Sequence, residues 1–220
     1  GILGMPIEQD SEGLNAHPWV SWGVAAAILA VSLTAFADLP WTLQTFGLIP
    51  AQVGRYGGLT LLTSFFLHGG VFHLLGNLYF LLVFGDNVED CLGRWKFGLL
   101  LLVATLAGAL LHILGNGSST LPCVGASGGI SGVIALYALR FPKAKMALLF
   151  RMYFWIRWIR LPAWLLFAVW LVLQFWGAWT QLSGFSNVSA LAHLGGVGAG
   201  LFFWLVIRGL RLPATAHGTA

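Results

Sequence analysis

The chain has 220 residues, of which 58% are hydrophobic and only 8% are charged. A soluble domain carries roughly 25% charged residues, so this composition excludes a globular protein whose whole surface faces water. The formal net charge of +4 does not indicate nucleic-acid binding, because the basic residues lie in short connections between apolar segments.

The first 18 residues are polar and are predicted to form a cytoplasmic tail, residues 1–18. They contain three acidic residues and lack the basic start and the short apolar stretch of a signal peptide. Because the sequence opens with Gly1 rather than Met, we expect the natural start of the protein to lie upstream.

The rest of the chain contains six apolar segments close to the length that a membrane-crossing helix needs, which is about 20 residues. They lie at about 19–37, 71–90, 95–115, 125–141, 162–182 and 190–209. The fourth and the sixth are rich in glycine, which favours close packing inside a bundle. The sequence therefore predicts an all-α polytopic membrane protein, with a six-transmembrane-helix bundle over 19–209 and a cytoplasmic tail over 210–220.

Lysine and arginine side chains distinguish the two sides of this bundle. They follow the second, fourth and sixth segments, and only Arg55, in the long loop 38–70, falls on the other side. Since positively charged connections stay in the cytoplasm, both termini are expected there. Loop 38–70 is predicted to lie partly in the outer leaflet, and the aromatic and arginine-rich segment 150–160 to lie on anionic cytoplasmic lipid. Cys91 and Cys123 fall on opposite sides, so both are expected to be free thiols.

Four polar side chains lie where lipid would make them costly, which marks them as functional candidates. They are His73 and Asn77 in the second segment, Ser127 in the fourth and His193 in the sixth. Each lies in the first turns of a segment that enters from the outer face, so one depth is expected for all four. The small residues that would let the fourth and sixth segments approach are Gly125, Gly128, Gly132, Gly196 and Gly200.

This set of side chains suits acyl transfer. A serine hydroxyl becomes a nucleophile when a neutral imidazole takes its proton, which predicts Ser127 as nucleophile and His193 as general base. Asn77, His73 and the backbone N–H of Ser127 are expected to bind the oxyanion. None of the seven acidic residues lies in the outer half of a segment, so a Ser-His dyad is expected rather than a triad. No HExxH sequence for zinc is present, and no metal site is predicted.

Structural interpretations of the same residues stay open. Taken alone, Ser127 could bond its own backbone and His193 could be a satisfied core histidine. Ser131 lies one turn after Ser127 and is a rival nucleophile at greater depth. His68 and His112 are interpreted as structural residues.

Together, these motifs resemble those of the rhomboid family of intramembrane serine proteases, over about residues 19–209. The matching motifs are HxxxN at 73–77, GxxxExxxG at 85–93 with Glu89 in its centre, GxSG at 125–128 and AHxxGxxxG at 192–200. The resemblance implies a cavity open to the outer side, no cofactor, and single-pass transmembrane proteins as substrates, cut in or beside the membrane.

The resemblance also implies a bacterial plasma membrane, a gate made by the fifth segment, and a cap over 183–189. Substrates with small residues at the cleavage position and helix-breaking residues beyond it would be favoured. The chain departs from the family at two places. Many members carry Trp-Arg where this chain has Leu59 and Thr60, which affects the anchoring of the first loop. Many carry an aromatic residue in place of Ser131, which affects how His193 is held.

Two alternatives remain on the sequence alone. The first is a non-catalytic rhomboid relative that binds or escorts membrane helices, although such relatives usually lack the serine or the histidine. The second is a haem-binding membrane protein that uses His73 and His193, which would leave Ser127 and Asn77 without a role.

Overall fold

The computed structural model describes residues 6–8, 14–152, 155–185 and 188–209. The α-helices in these ranges are α1 (Trp19–Ala35), α2 (Leu39–Phe46), α3 (Thr60–Phe66), α4 (Val71–Leu92), α5 (Arg94–Asn116), α6 (Ser127–Arg140), α7 (Ala163–Leu182) and α8 (Ala190–Ile207). The strands are β1 (Pro6–Glu8), β2 (Lys145–Met152) and β3 (Trp155–Pro162).

The predicted fold class, a helical membrane bundle, is confirmed. The six predicted segments correspond to α1, α4, α5, α6, α7 and α8. In the described part of the chain, five helical stretches are long and apolar enough to cross a membrane, the first of which runs from α1 through α2. Helix α6 is the exception, because its 14 residues reach roughly 21 Å across about 30 Å of hydrocarbon.

The short helix α6 lies at the centre of the bundle, and ten of its residues are buried. The chain before it is not helical, yet its backbone groups are paired with the first loop. Leu48 and Cys123 exchange N–H···O bonds of 3.0 and 2.8 Å, and the Gly125 N–H donates to the Ser64 carbonyl at 2.9 Å. Irregular backbone at membrane depth is tolerated where protein or a polar cavity surrounds it. Helix α6 can therefore begin inside the bundle.

Glycines set the distance between α6 and α8. A methyl group added to Gly196 of α8 would collide with the carbonyl oxygen of Gly128 in α6 and lie 3.3 Å from the Gly132 nitrogen. A methyl group on Gly200 would collide with the Gly132 carbonyl in the same way. The two helix backbones are thus in direct contact, which is the packing that small residues permit in membranes.

The residue before α1, Pro18, supplies no side-chain cap. The first N–H groups of α1 are instead capped by a side chain of α4. The buried Glu89 carboxylate of α4 accepts from the backbone N–H groups of Val20 at 2.9 Å and Ser21 at 2.7 Å, and from the Ser21 hydroxyl at 2.8 Å. Gly85 makes room for this contact, since a methyl group there would lie 2.9 Å from Ser21 Oγ. Negative charge at a helix N-terminus is favourable, so Glu89 joins α1 to α4.

Glu89→Gln is expected to lower the midpoint of thermal unfolding, because the amide presents its own N–H donors to the donors of α1. We expect the free energy of unfolding to fall by about 1–3 kcal/mol. Asp90→Asn is the matched control, since Asp90 accepts from the exposed residues Asn15 and Ala16. Equal shifts for the two variants, measured in the same detergent, would contradict this role of Glu89.

One end of the bundle carries a three-stranded antiparallel sheet in the order β1-β2-β3. Ile7 lies opposite Ala147, and Lys145 lies opposite Pro162. The predicted interfacial segment 150–160 therefore forms parts of a β-hairpin. Aromatic and β-branched residues of this segment favour strands, and β1 provides a further strand that pairs with β2. Its contact with anionic lipid stays a prediction.

The described residues of the predicted N-terminal tail contact the rest of the chain at two places. Residues 6–8 form β1, and Asn15 donates its side-chain amide to Asp90 at 2.8 Å. These contacts place the start of α1, the end of α4 and the α6–α7 connection at one end of the molecule. The predicted C-terminal tail, 210–220, lies outside the described residues.

The first loop is ordered by helices α2 and α3 and by the Arg55 side chain. The two terminal nitrogens of Arg55 donate to the Gln44 carbonyl at 2.6 Å and the Gly47 carbonyl at 2.8 Å. Arg55 thus satisfies carbonyls at the C-terminal end of α2. The anchoring that the Leu59 and Thr60 departure left open is provided by this arginine.

Candidate active site

Ser127 is the first residue of α6, and the backbone before it is shaped for that position. Gly125 has φ +126°, in the region that side chains rarely adopt. A Cβ at Gly125 would also lie 2.8 Å from Nε2 of His73 and 3.8 Å from Ser127 Oγ. The first N–H groups of a helix have no partner within it and carry the positive end of its dipole. Ser127 is therefore at a position that favours a developing negative charge.

His193 lies in the first turn of α8 and contacts the serine directly. Its Nε2 is 2.8 Å from Ser127 Oγ, and its Nδ1 is 2.7 Å from Oε1 of Gln174 in α7. An amide oxygen accepts hydrogen bonds and cannot donate, so Nδ1 carries the proton and the Nε2 lone pair faces the serine hydroxyl. This is the tautomer that a general base requires.

His73 and Asn77 lie one turn apart on α4 and line the same cavity as Ser127 and His193. The Asn77 amide donates one hydrogen to the His73 carbonyl at 3.0 Å. A carboxamide nitrogen has two hydrogens, so the second can serve an oxyanion. The structure therefore brings together all four polar residues selected from the sequence. Gly125 and Gly128 flank Ser127 in the chain. Glu89, another residue selected from the motifs, lies away from the cavity, where it caps the N-terminus of α1.

The cavity is about 1010 Å³ and is bounded by helices α3 to α8 and the chain before α6. Its lining is mostly apolar, with one set of polar groups around Ser127 and another around His112. A volume of this size accepts a peptide segment together with water. Among the described residues, no group of three metal-ligating side chains is found.

His68 is fully buried beside His73, and their ring centroids are 4.9 Å apart. The Ser32 hydroxyl donates to the Phe66 carbonyl at 2.9 Å, so His68 donates its Nδ1–H to the Ser32 oxygen at 3.0 Å. Burial lowers the pKa of His68 to about 4, which keeps the ring neutral at physiological pH. His68 joins the first loop to α1.

A second serine–histidine pair lies at the C-terminal end of α5 and the N-terminal end of α8. The Ser189 hydroxyl is 2.6 Å from His112 Nδ1. Ser189 Oγ also accepts from the Ala192 N–H at 3.2 Å and so caps α8, while Gln181 contacts the same imidazole nitrogen at 3.3 Å. Through these hydrogen bonds, the pair connects α5, α7 and α8.

Ser131 and Cys123 are two further candidate nucleophiles along the cavity. The Ser131 hydroxyl donates to the Ser127 carbonyl at 2.6 Å, and Ser131 is only 2% exposed. Burial raises the pKa of the Cys123 thiol to about 11, so little reactive thiolate forms at neutral pH. Both cysteines are free thiols, as expected from the sequence. Two of the described hydroxyls that line the cavity have an imidazole partner, those of Ser127 and Ser189. Ser189 Oγ also caps α8, so Ser127 is the stronger candidate for the nucleophile.

The sequence interpretation missed Gln174 and Trp170, which contact His193 from α7. The Trp170 and His193 ring centroids are 6.3 Å apart. An amide inside an otherwise apolar segment was the available signal for Gln174, because such groups are costly in lipid. The contact of Trp170 could not be anticipated, since tryptophan is common in membrane helices.

A rhomboid domain profile matches residues 55–209. Rhomboid-related protein 1 of Caenorhabditis elegans is 36% identical over 145 residues, which are 64% of this chain and 38% of that protein. RHOMBOID-like protein 4 of Arabidopsis thaliana is 39% identical over 95 residues, 42% of this chain and 24% of that protein. RHOMBOID-like protein 12, mitochondrial, of the same plant is 29% identical over 165 residues, 68% of this chain and 46% of that protein. The chain thus spans less than half the length of these curated relatives.

Proposed function

Because the chain belongs to the rhomboid family, we propose that it is a serine endopeptidase that hydrolyses peptide bonds in or beside the transmembrane segments of other membrane proteins. The observation that carries the proposal is the 2.8 Å contact between Ser127 Oγ and His193 Nε2 at the wall of the cavity. A hydroxyl and an imidazole in this relation supply a nucleophile and its base.

In the first half of the proposed reaction, Ser127 Oγ bonds to the scissile carbonyl carbon and its proton passes to His193 Nε2. The carbon–nitrogen bond then breaks, and His193 returns the proton to the leaving amine. In the second half, water attacks the acyl ester and its proton passes to His193. The ester bond to Ser127 then breaks, and His193 returns the proton to Ser127 Oγ. The Ser127 N–H, Asn77 and His73 stabilise the oxyanion in both halves.

Single-pass transmembrane proteins are the proposed substrates. A peptide bond within a helix is shielded, so small residues at the cleavage position and helix-breaking residues beyond it should favour cleavage. Helix α7 and residues 183–189 are proposed as the gate and cap. Many large apolar side chains of α7 are exposed, Val172 at 67% and Trp176 at 66% among them, as expected for a helix at the edge of the bundle that faces lipid.

The chain is an integral membrane protein. We place both termini in the cytoplasm, because Lys and Arg residues follow α4, α6 and α8, whereas Arg55 is at the other end. A bacterial plasma membrane stays a prediction, since the relatives named above are animal and plant proteins.

Purified protein in liposomes, mixed with a single-pass substrate, tests this proposal. Cleavage within or next to the substrate's membrane segment is expected, together with labelling of Ser127 by a fluorophosphonate. Absence of both reactions, in detergent and in lipid, would favour the non-catalytic relative. The haem alternative is disfavoured, because both ring nitrogens of His193 are already hydrogen-bonded.

Asn77→Ala is expected to lower kcat about 10²-fold, the typical cost of one lost oxyanion donor. Asn116→Ala is the matched control, because Asn116 also lines the cavity and donates to the carbonyl one turn earlier, that of His112, at 3.0 Å. Cleavage kinetics of both variants, with unfolding midpoints, check this expectation. A similar loss of kcat in both would show that Asn77 has no special part in the reaction.

A further inference from the structure

Helix α7 contacts the proposed base with two side chains that lie one turn apart. Gln174 Oε1 is 2.7 Å from His193 Nδ1, and the Trp170 ring lies beside the same imidazole, with a centroid distance of 6.3 Å. Ser131 occupies the position where an aromatic residue would support the imidazole from α6, and its hydroxyl is bonded to the Ser127 carbonyl instead. The support for His193 therefore comes from α7.

The orientation of the Gln174 amide decides which nitrogen of His193 carries the proton. The amide nitrogen of Gln174 faces the Trp170 carbonyl at 3.5 Å, a long contact that leaves the amide oxygen toward His193. The reverse orientation would donate a hydrogen to Nδ1 and move the ring proton to Nε2, where it would face Ser127. Such a ring cannot accept the serine proton.

We propose that Gln174 is a positioning residue, which holds His193 by its Nδ1–H so that Nε2 faces Ser127 as the base. This inference rests on the proposed peptidase function and adds a third member to the dyad. A neutral amide can fix the tautomer and accept from the imidazolium that forms during the reaction, although it lacks the charge of an aspartate. The position of α7 then decides whether the base is correctly held.

The test compares Gln174→Met, which keeps the length of the side chain but has no acceptor, with Gln174→Glu, which keeps an oxygen at the same place. Gln174→Met should lower kcat and the fluorophosphonate labelling rate roughly tenfold, the order expected for one hydrogen bond. Gln174→Glu should retain labelling, because its carboxylate still accepts from Nδ1. Gln174→Asn, one methylene shorter, should behave like Gln174→Met and serves if the Met variant does not fold.

The pH profile separates positioning from packing. The acid limb of kcat/KM should move to higher pH in Gln174→Glu, since a carboxylate favours the imidazolium, and to lower pH in Gln174→Met. His73, the other titratable side chain beside His193 in the cavity, is unchanged in all variants. A purely structural role for Gln174 would leave the acid limb where it is in the wild-type protein.

Gln181→Met is the control on the same helix. Gln181 accepts from the Leu191 N–H at 3.1 Å and contacts His112 rather than His193, so its loss should affect stability without moving the acid limb. Equal rates and equal acid limbs in the wild type and Gln174→Met would overturn the inference. A wild-type protein that neither cleaves nor labels would instead overturn the proposed function itself.

Discussion

Ser127→Ala and His193→Ala are each expected to lower the cleavage rate by at least about 10⁴-fold, because each removes one half of the proton transfer that starts the reaction. Both residues are only partly buried, so the unfolding midpoints should change little. The double variant should be no slower than either single variant, since the two side chains act as one unit. Cleavage assays in liposomes, calibrated against the amount of folded protein, measure these losses.

Ser131→Ala is the control for the choice of nucleophile. Its hydroxyl lies one turn deeper and donates to the Ser127 carbonyl. We expect this variant to keep labelling by a fluorophosphonate and most of its cleavage. Loss of labelling in Ser131→Ala, with retention in Ser127→Ala, would show that Ser131 rather than Ser127 is the nucleophile.

Gly196→Ala is expected to destabilise the bundle by about 3 kcal/mol, because overpacking at a backbone contact has to push α6 and α8 apart. The added methyl group would meet the Gly128 carbonyl, a group with no rotamer to change. These helices carry Ser127 and His193, and a displacement of about 1 Å between reacting groups can cost 10² in rate. A lower unfolding midpoint and slower cleavage should therefore appear together.

Gly198→Ala provides the matched control on the same helix. Gly198 is exposed, and a methyl group there would have no atom within 4 Å. Alanine favours a helix over glycine by about 1 kcal/mol, so this variant should be as stable as the wild type or more stable. If Gly196→Ala were equally stable, the close approach of α6 and α8 would not be a requirement of the fold.

Apolar length predicted the bundle well where a helix crosses the whole membrane. Helix α4 runs from Val71 to Leu92, close to the predicted 71–90, because lipid and helix geometry set that length together. The start of α6 at Ser127 was placed too early, at 125. The first residue of α6 depends on the conformation of Gly125 and on the hydrogen bond from the Gly125 N–H to the Ser64 carbonyl. Contacts of this kind, between residues far apart in the chain, leave no pattern in a hydropathy plot.

The β-hairpin was missed for a related reason. Alternating aromatic, aliphatic and arginine residues at 150–160 are typical of an interfacial helix as well as of a strand. The choice depends on β1, a partner far away in the chain. By contrast, the sequence predicts a common depth for the four polar residues, since an up-and-down topology alone places the N-terminal ends of α4, α6 and α8 on the same side.

The pairing of β1 with β2 has a consequence for biosynthesis. Residue 8 lies opposite residue 146, so β1 is made first and its partner emerges only after α1, α4, α5 and α6 have been synthesised. Until β2 has been synthesised, β1 lacks the strand with which it pairs. The sheet closes late, as expected for contacts of high sequence separation, and its closure ties a segment that precedes α1 to the finished bundle.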